Sequence, residues 1–279
     1  MKVRANAKIN LTLDIVGKRE DGYHLIDSVF QSVSLCDDIR VEKDSKITVC
    51  CTDGTISDKS NIAYKAAQIF FDYNKIDGGV KIDIEKHIPL ASGMGGGSAD
   101  AAAVILALDK IYKTNLSNEQ LCNIALCVGA DVPFCIMGGT ARIEGIGEKI
   151  TQLPNMPKCG ILLIKHGVKH STADMYKKID SYPVLKQYTN NAVDGILNAD
   201  IKKICNNVSN AFLPVCDNTD LINDIKTTAP LGCSLSGSGP TVFAIYNDIT
   251  AANVACQKLE VMGYNPIVTV PAQKGIVFE

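Results

Sequence analysis

Between His87 and Leu108 the chain sets Gly93, Gly95, Gly96 and Gly97 almost side by side, closes the group with Ser98, and continues through Ala99-Asp100-Ala101-Ala102-Ala103 into an apolar run. Alanine and leucine favour helix and Ser98 is a good N-cap, so a glycine loop feeding a helix N-terminus is expected. Glycines let backbone N–H groups approach a ligand closely, and the free N–H groups of a helix start attract an anion. The glycine loop from Gly93 to Ser98 therefore reads as a phosphate cradle. No lysine follows the glycines, so it is not a P-loop, and its spacing is not that of a dinucleotide fingerprint. An ordinary turn is the plainer alternative, and the surrounding residues decide.

Ala7 to Val16 alternates, with Lys8, Asn10, Thr12 and Asp14 on one face and Ile9, Leu11, Leu13 and Ile15 on the other. That pattern predicts a strand with one buried face. A charged turn, Gly17 to Gly22, leads to Tyr23-His24 and a second apolar stretch ending at Leu35. Ile39 to Cys51 reads as strand, with Asp53-Gly54 as a hairpin turn. Asn61 to Tyr73 has helical composition, with Ile62, Ala66, Ile69 and Phe70 on one stripe. Val80 to Ile84 is a strand delivering the chain to the glycine loop. Ser117 to Cys127 is a helix with a capping box from Ser117 and Gln120. Thr140 to Ile143 is a strand, and the prolines of Leu153-Pro154-Asn155-Met156-Pro157 suit an extended connection between two lobes, 1–153 and 158–279. Beyond it come a strand from Cys159 to Ile164, a helix starting at Thr172, and mainly helix over 182–230. A second glycine loop, Leu235 to Pro240, leads into a strand from Thr241 to Tyr246. A helix (Ala251 to Met262) and a strand (Pro266 to Val270) follow. Strands and helices mix without a βαβ rhythm, so the fold class is α+β in two lobes.

The 28 basic and 30 acidic residues leave a net charge of −2, which argues against a general nucleic-acid binder. No apolar run reaches the eighteen or so residues that cross a bilayer. The N-terminus enters a strand pattern at once, without the apolar core of a signal peptide, so a cytoplasmic protein is expected. Eleven cysteines are scattered without a C-x-x-C pair, and they read as reduced, mostly core-filling thiols with no metal site.

Taken alone, Lys8 reads as a solvated strand lysine, Asp131 as a helix N-cap, His24 as a partly buried polar residue and Ser236 to Gly239 as a turn. Together and in this order they resemble the GHMP kinases. The likeness rests on Ala7-Lys8-Ile9-Asn10-Leu11, Lys18 to His24, Pro89 to Ala103, Gly129-Ala130-Asp131-Val132-Pro133-Phe134 and Leu235 to Phe243, and it covers nearly the whole chain. Met94 and Ala99 stand where leucine and serine are commoner, and Asn210 to Pro214 lacks the acidic residues usual in the family.

The resemblance implies a ribosomal-S5-like N-terminal lobe and a ferredoxin-like C-terminal lobe. It implies ATP-dependent phosphorylation of the 2-hydroxyl of 4-diphosphocytidyl-2-C-methyl-D-erythritol, in non-mevalonate isoprenoid synthesis. Pro89, Leu90, Ala91, Ser92, Gly93, Met94, Gly95, Gly96, Gly97, Ser98 and Ala99 would hold the triphosphate with Mg2+, and Asn61 and Lys86 would lie around the nucleotide. Asp131 would orient or deprotonate the hydroxyl, and Lys8 would neutralise charge beside it. Asn10 would touch the substrate near Lys8, Tyr23 would stack on the cytosine, His24 would bond its edge, and Tyr176 would supply the opposite stacking face. A kinase for another small alcohol, such as homoserine or mevalonate, and a nucleotide-binding module without transfer are the competing readings. Tyr23-His24 tells against the first, and the Lys8/Asp131 pair against the second.

Overall fold

A computed structural model describes residues 1–182 and 186–279. Its elements, in order, are β1 (Lys2–Lys18), β2 (His24–Asp44), β3 (Thr48–Cys51), α1 (Ile62–Asn74), β4 (Gly79–Glu85), α2 (Gly96–Tyr112), α3 (Asn118–Val128), α4 (Val132–Met137), β5 (Thr140–Gly145) and β6 (Lys149–Leu153). Then follow β7 (Gly160–Lys165), α5 (Thr172–Ile179), α6 (Thr189–Leu197), α7 (Ile201–Asn206), β8 (Ser209–Asn210), α8 (Thr219–Lys226), β9 (Gly232–Leu235), β10 (Thr241–Tyr246), α9 (Ile249–Val261), β11 (Pro266–Thr269) and β12 (Ile276–Phe278). The α+β class predicted from the sequence is the class observed.

The spine is the antiparallel pair β1–β2. Around it an eight-stranded sheet runs β12-β1-β2-β4-β3, with β5 added beside β2, β6 beside β5 and β8 beside β1. A second sheet of four antiparallel strands runs β11-β7-β10-β9. Three apolar layers hold these together. One lies under α1 to α4, with Phe70, Ile82, Ile105, Leu108 and Phe134 at its centre. The next lies between the sheets, where Ile9, Leu11 and Val29 meet Ile161, Leu163 and Phe243. The last packs α5, α8 and α9 on the far face of the small sheet through Met175, Leu221 and Leu259.

One irregularity of β1 positions the site. Val3 and Ala5 face the helical layer, whereas Ala7, Ile9 and Leu11 face the layer between the sheets. A strand that kept strict alternation would hold all five on one side. The pairing with β2 slips between Asn6 and Lys8, and this bulge turns the side chains over. Lys8 and Asn10 are thereby aimed toward the helices and the glycine loop. The face predicted to be solvated is in fact covered: Lys8, Asn10, Thr12 and Asp14 are all buried. Asp14 accepts hydrogen bonds from the Tyr188 and Thr189 backbone N–H groups, both at 2.8 Å, capping α6 from the sheet.

Other expectations are corrected. Asp53-Gly54 is not a hairpin turn; it opens a short 3-10 turn, and β3 pairs in parallel with β4 after the chain has passed through α1. Ser98 does not cap α2, which starts at Gly96 with Gly95 as its cap at φ +70°. Of the cysteines, Cys36, Cys135, Cys159 and Cys205 are buried while the other seven are at least partly exposed, so core filling accounts for a minority. In the 182–230 stretch, α6, α7 and α8 appear as expected, β8 intervenes, and residues 183–185 lie outside the described residues. No helix among the described residues is long and apolar enough to cross a membrane.

Candidate active site

Lys8 is 4% exposed, yet its ammonium is well supplied. It lies 3.2 Å from Asp131 Oδ2, donates to Asn10 Oδ1 at 3.0 Å and sits 4.1 Å above the Phe30 ring. Its backbone N–H donates to the Met94 carbonyl at 2.9 Å, which ties β1 directly to the glycine loop. Asp131 precedes α4 but makes no side-chain cap bond; its carboxylate turns to Lys8 instead and stays 38% exposed to the cleft. Pro133 in the first turn of α4 needs no N–H partner there, so the helix starts without that cap.

The glycines are required by contact as well as by conformation. A Cβ on Gly93, at φ +80°, would lie 2.5 Å from the Ser236 carbonyl oxygen and 2.8 Å from that of Gly239. A Cβ on Gly95 would lie 2.9 Å from Cγ of Lys8. The two glycine loops therefore touch: Ser236 Oγ donates to the Gly93 carbonyl at 3.0 Å, and the Thr241 N–H to that of Ser92 at 3.2 Å. Beside the first loop lies a cavity of about 240 Å³, lined by Ile62, Lys86 and residues of the stretch Ile88 to Ser98 but not by Ala99, which is buried at the start of α2. It opens on the N-terminus of α2, whose free N–H groups suit phosphate. Within the cavity lining Ser98 offers a hydroxyl oxygen. Mg2+ takes most of its ligands from phosphates and water, so this sparse oxygen set fits that ion.

A larger cleft, about 850 Å³, joins Lys8, Asn10 and Asp131 to Tyr23, His24 and Tyr176. Tyr23 is 62% exposed at its rim. His24 stacks on Tyr176, rings 4.5 Å apart and 14° from parallel, and Phe212 braces Tyr176 edge-on at 4.9 Å. Asp180, one turn beyond Tyr176, receives His24 Nε2 and Lys18 Nζ at 2.6 Å each, and those two bonds hold its pKa below the usual carboxylate range. A base inserted between Tyr23 and Tyr176 would have to displace the His24 ring from this stack. Burial, and then the charge of Asp131, push the Tyr176 hydroxyl up to about 12.

The structure thus brings together Lys8, Asn10, Asp131, the two glycine loops, Tyr23, His24 and Tyr176. It does not bring Asn61 to the nucleotide cavity. That side chain caps α1, accepting from the Ala63 N–H at 2.8 Å and donating to the Ile56 carbonyl at 2.7 Å. Lys86 lines the cavity, but its ammonium is clamped between Asp37 and Asp100. Burial works against that charge, and the two carboxylates outweigh it and raise the lysine's pKa. Lys86 supports the loop from behind, its ammonium 3.3 Å from where a Cβ on Gly96 would lie.

Sequence reasoning missed Asp180, Lys169, Phe212 and Asn210. Asn210 donates to the Leu235 and Gly237 carbonyls at 2.8 Å each, and so carries the second glycine loop. The i+4 spacing from Tyr176 to Asp180 was the one local signal available, once α5 is known to face the cleft. Asp38, Glu85 and His87 form an exposed group whose ligand atoms lie within 4.8 Å of one another, and none of the three lines either cavity described above.

Residues 61–139 match the family described as GHMP kinases N terminal domain. A protein of Clostridium beijerinckii named 4-diphosphocytidyl-2-C-methyl-D-erythritol kinase is 41% identical over 268 residues, which span 93% of this chain and 96% of the relative. A Clostridium botulinum protein of the same name is 40% identical over 272 residues, 93% of this chain and 96% of its own. A solved structure of 4-(cytidine 5'-diphospho)-2C-methyl-D-erythritol kinase superposes with a TM-score of 0.83 at 26% identity, covering 98% of this chain and 99% of the other. A homoserine kinase from Cytophaga hutchinsonii shares the fold, with a TM-score of 0.79 at 21% identity over 99% and 96% of the two chains.

Proposed function

Because the chain belongs to the 4-diphosphocytidyl-2-C-methyl-D-erythritol kinases, within the GHMP kinase family, we propose that its cleft transfers the γ-phosphoryl group of ATP to the 2-hydroxyl of that cytidylyl alcohol. The observation that carries this is the Lys8–Asp131 pair, standing between a glycine-loop cavity and a cleft walled by Tyr23, His24 and Tyr176. One side suits a triphosphate, the other a base, and the pair lies where the acceptor hydroxyl must meet the phosphoryl group. The enzyme is a step in isoprenoid precursor synthesis by the non-mevalonate route, and a water-soluble acceptor suits a cytoplasmic setting.

When bound, ATP supplies the transferable phosphoryl group and Mg2+ would screen its charge; Ser98, at the start of α2, is the residue that would hold the ion. Phosphoryl transfer needs positioning and charge neutralisation more than covalent help. Backbone N–H groups of Gly95 to Ser98 and the α2 N-terminus hold the triphosphate. Lys8 occupies Asp131 Oδ2, leaving Oδ1 to receive the proton of the acceptor hydroxyl as its oxygen bonds to the γ-phosphorus and the bond from that phosphorus to the bridging oxygen breaks, releasing ADP. Lys8 then faces the charge gathering on the transferred group. Asn10 fixes the lysine through Oδ1, and its amide donates in turn to Ser28 Oγ at 3.3 Å.

Phosphorus NMR of a reaction with ATP and the cytidylyl alcohol tests this. A new phosphomonoester resonance should appear in step with ADP, coupled to carbon 2 of the erythritol. Release of inorganic phosphate with no new ester would sink the proposal.

A further inference from the structure

The acceptor cleft contains a cation that the transfer step leaves unused. Lys169, in the connection between β7 and α5, lines the cleft together with Lys8, Thr172, Gly237 and Ser238. Its ammonium donates to Ser238 Oγ at 2.5 Å and to the Gly239 carbonyl at 2.7 Å, and Thr172 Oγ1 lies 3.0 Å from the same Ser238 hydroxyl. Both partners are neutral oxygens. Among the described residues no carboxylate lies within ion-pair distance of this lysine. Burial, and next the charge of Lys8, lower its pKa. A half-buried ammonium with a cationic neighbour and no acid of its own is costly to keep, and an arriving anion would offset that cost.

Which anion follows from the position. Lys169 does not line the cavity beside Gly95 to Ser98. It lies in the acceptor cleft, a few residues before Tyr176 and across from Asp131. In the acceptor the diphosphate joins the cytidine to the erythritol. With the base at Tyr23, His24 and Tyr176 and the hydroxyl at Asp131, the diphosphate must run past the start of α5. On the reading of function given above, we propose that Lys169 is the charged contact for the diphosphate of the acceptor, held in place by the second glycine loop. The α5 N-terminus, with Ser171 as its cap, adds favourable potential for the same anion.

Calorimetric titration of cytidine and of CDP, with the glycine-loop cavity filled by a non-hydrolysable ATP analogue, separates the outcomes. Wild type should bind CDP more tightly than cytidine. Lys169→Met and Lys169→Gln should each weaken CDP by about tenfold to a hundredfold, the scale of one charge-assisted hydrogen bond, while leaving cytidine and the ATP analogue unchanged. Glutamine keeps a donor for the Gly239 carbonyl and removes only the charge, so it remains informative if the methionine variant fails to fold. Lys169→Arg should retain most of the preference for CDP. Folded variants that keep wild-type affinity for CDP, or that lose cytidine and CDP equally, would make Lys169 a strut of the loop and overturn the inference. Wild type that binds neither cytidine nor CDP would instead remove the reading of the acceptor itself.

Discussion

Lys8 and Asp131 form an ion pair whose two partners are unequally buried. The lysine is enclosed by Asn10, Phe30 and the glycine loop, while the carboxylate keeps an oxygen in the cleft. Asp131→Asn keeps the shape but cannot take a proton, so turnover should fall by roughly 10²–10⁴ while ATP affinity holds within about twofold. Single-turnover rates and nucleotide titrations check this; a rate within about threefold of wild type would remove Asp131 from the chemistry. Lys8→Met should lower the rate strongly, yet shift Tm by no more than about 4 °C, because the Asp131 it abandons is solvated and leaves no stranded buried charge. A larger drop in the melt would make Lys8 structural. At this scale the sequence pointed to these two residues but not to their burial. Alternation placed Lys8 on a wet face, since a bulge and a covering loop depend on partners remote in the chain.

At the level of elements, the glycine loop, α3 and its capping box, and the second loop running into β10 were all legible, because each is written in contiguous residues. What escaped was non-local: β3 beside β4, β8 beside β1, and the start of α2 at Gly96, behind a Gly95 whose Cβ would meet Lys8. Gly95→Ala would place a methyl against Lys8 in a backbone region that costs non-glycine residues about 1 kcal/mol or more. Both ATP affinity and turnover should fall about tenfold or more, since the cradle and the lysine are disturbed together; unchanged kinetics would mean that the triphosphate lies elsewhere. Behind the loop, burial raises Asp100 to about 7, with Lys86 pulling the other way. A carboxyl whose folded pKa exceeds its unfolded value of about 3.9 binds more protons in the native state between those two values, so its contribution to stability is lost as pH rises from about 4 to about 7. Asp100→Asn should flatten that part of a Tm-against-pH curve. An identical slope in the variant would place the titration on another group.

Across the whole molecule, the cleft is made where the hairpin of β1 and β2 meets α5, and Asp180 holds the two together through Lys18 and His24. The family resemblance made the two-sheet fold and the kinase chemistry readable before any coordinates. It did not reveal Lys169 or Asp180, since neither lies in a motif and each acquires its role only when distant segments converge. The stack of His24 on Tyr176 likewise appears only in three dimensions. Tyr23→Ala and His24→Ala should each raise the KM for the cytidylyl alcohol about tenfold, on the scale of roughly 1–3 kcal/mol for stacking on a base, and leave the KM for ATP nearly unchanged. Equal rises in both constants, or a loss of fold, would make these rings structural. The most direct test is coupled ADP release with ATP and four acceptors: 4-diphosphocytidyl-2-C-methyl-D-erythritol, 2-C-methyl-D-erythritol 4-phosphate, homoserine and mevalonate. The cytidylyl alcohol should be phosphorylated with kcat/KM at least about 10²-fold above the other three, as the loss of a stacked base and of its charged tail predicts. Comparable turnover of an acceptor without the cytidylyl group would contradict that assignment.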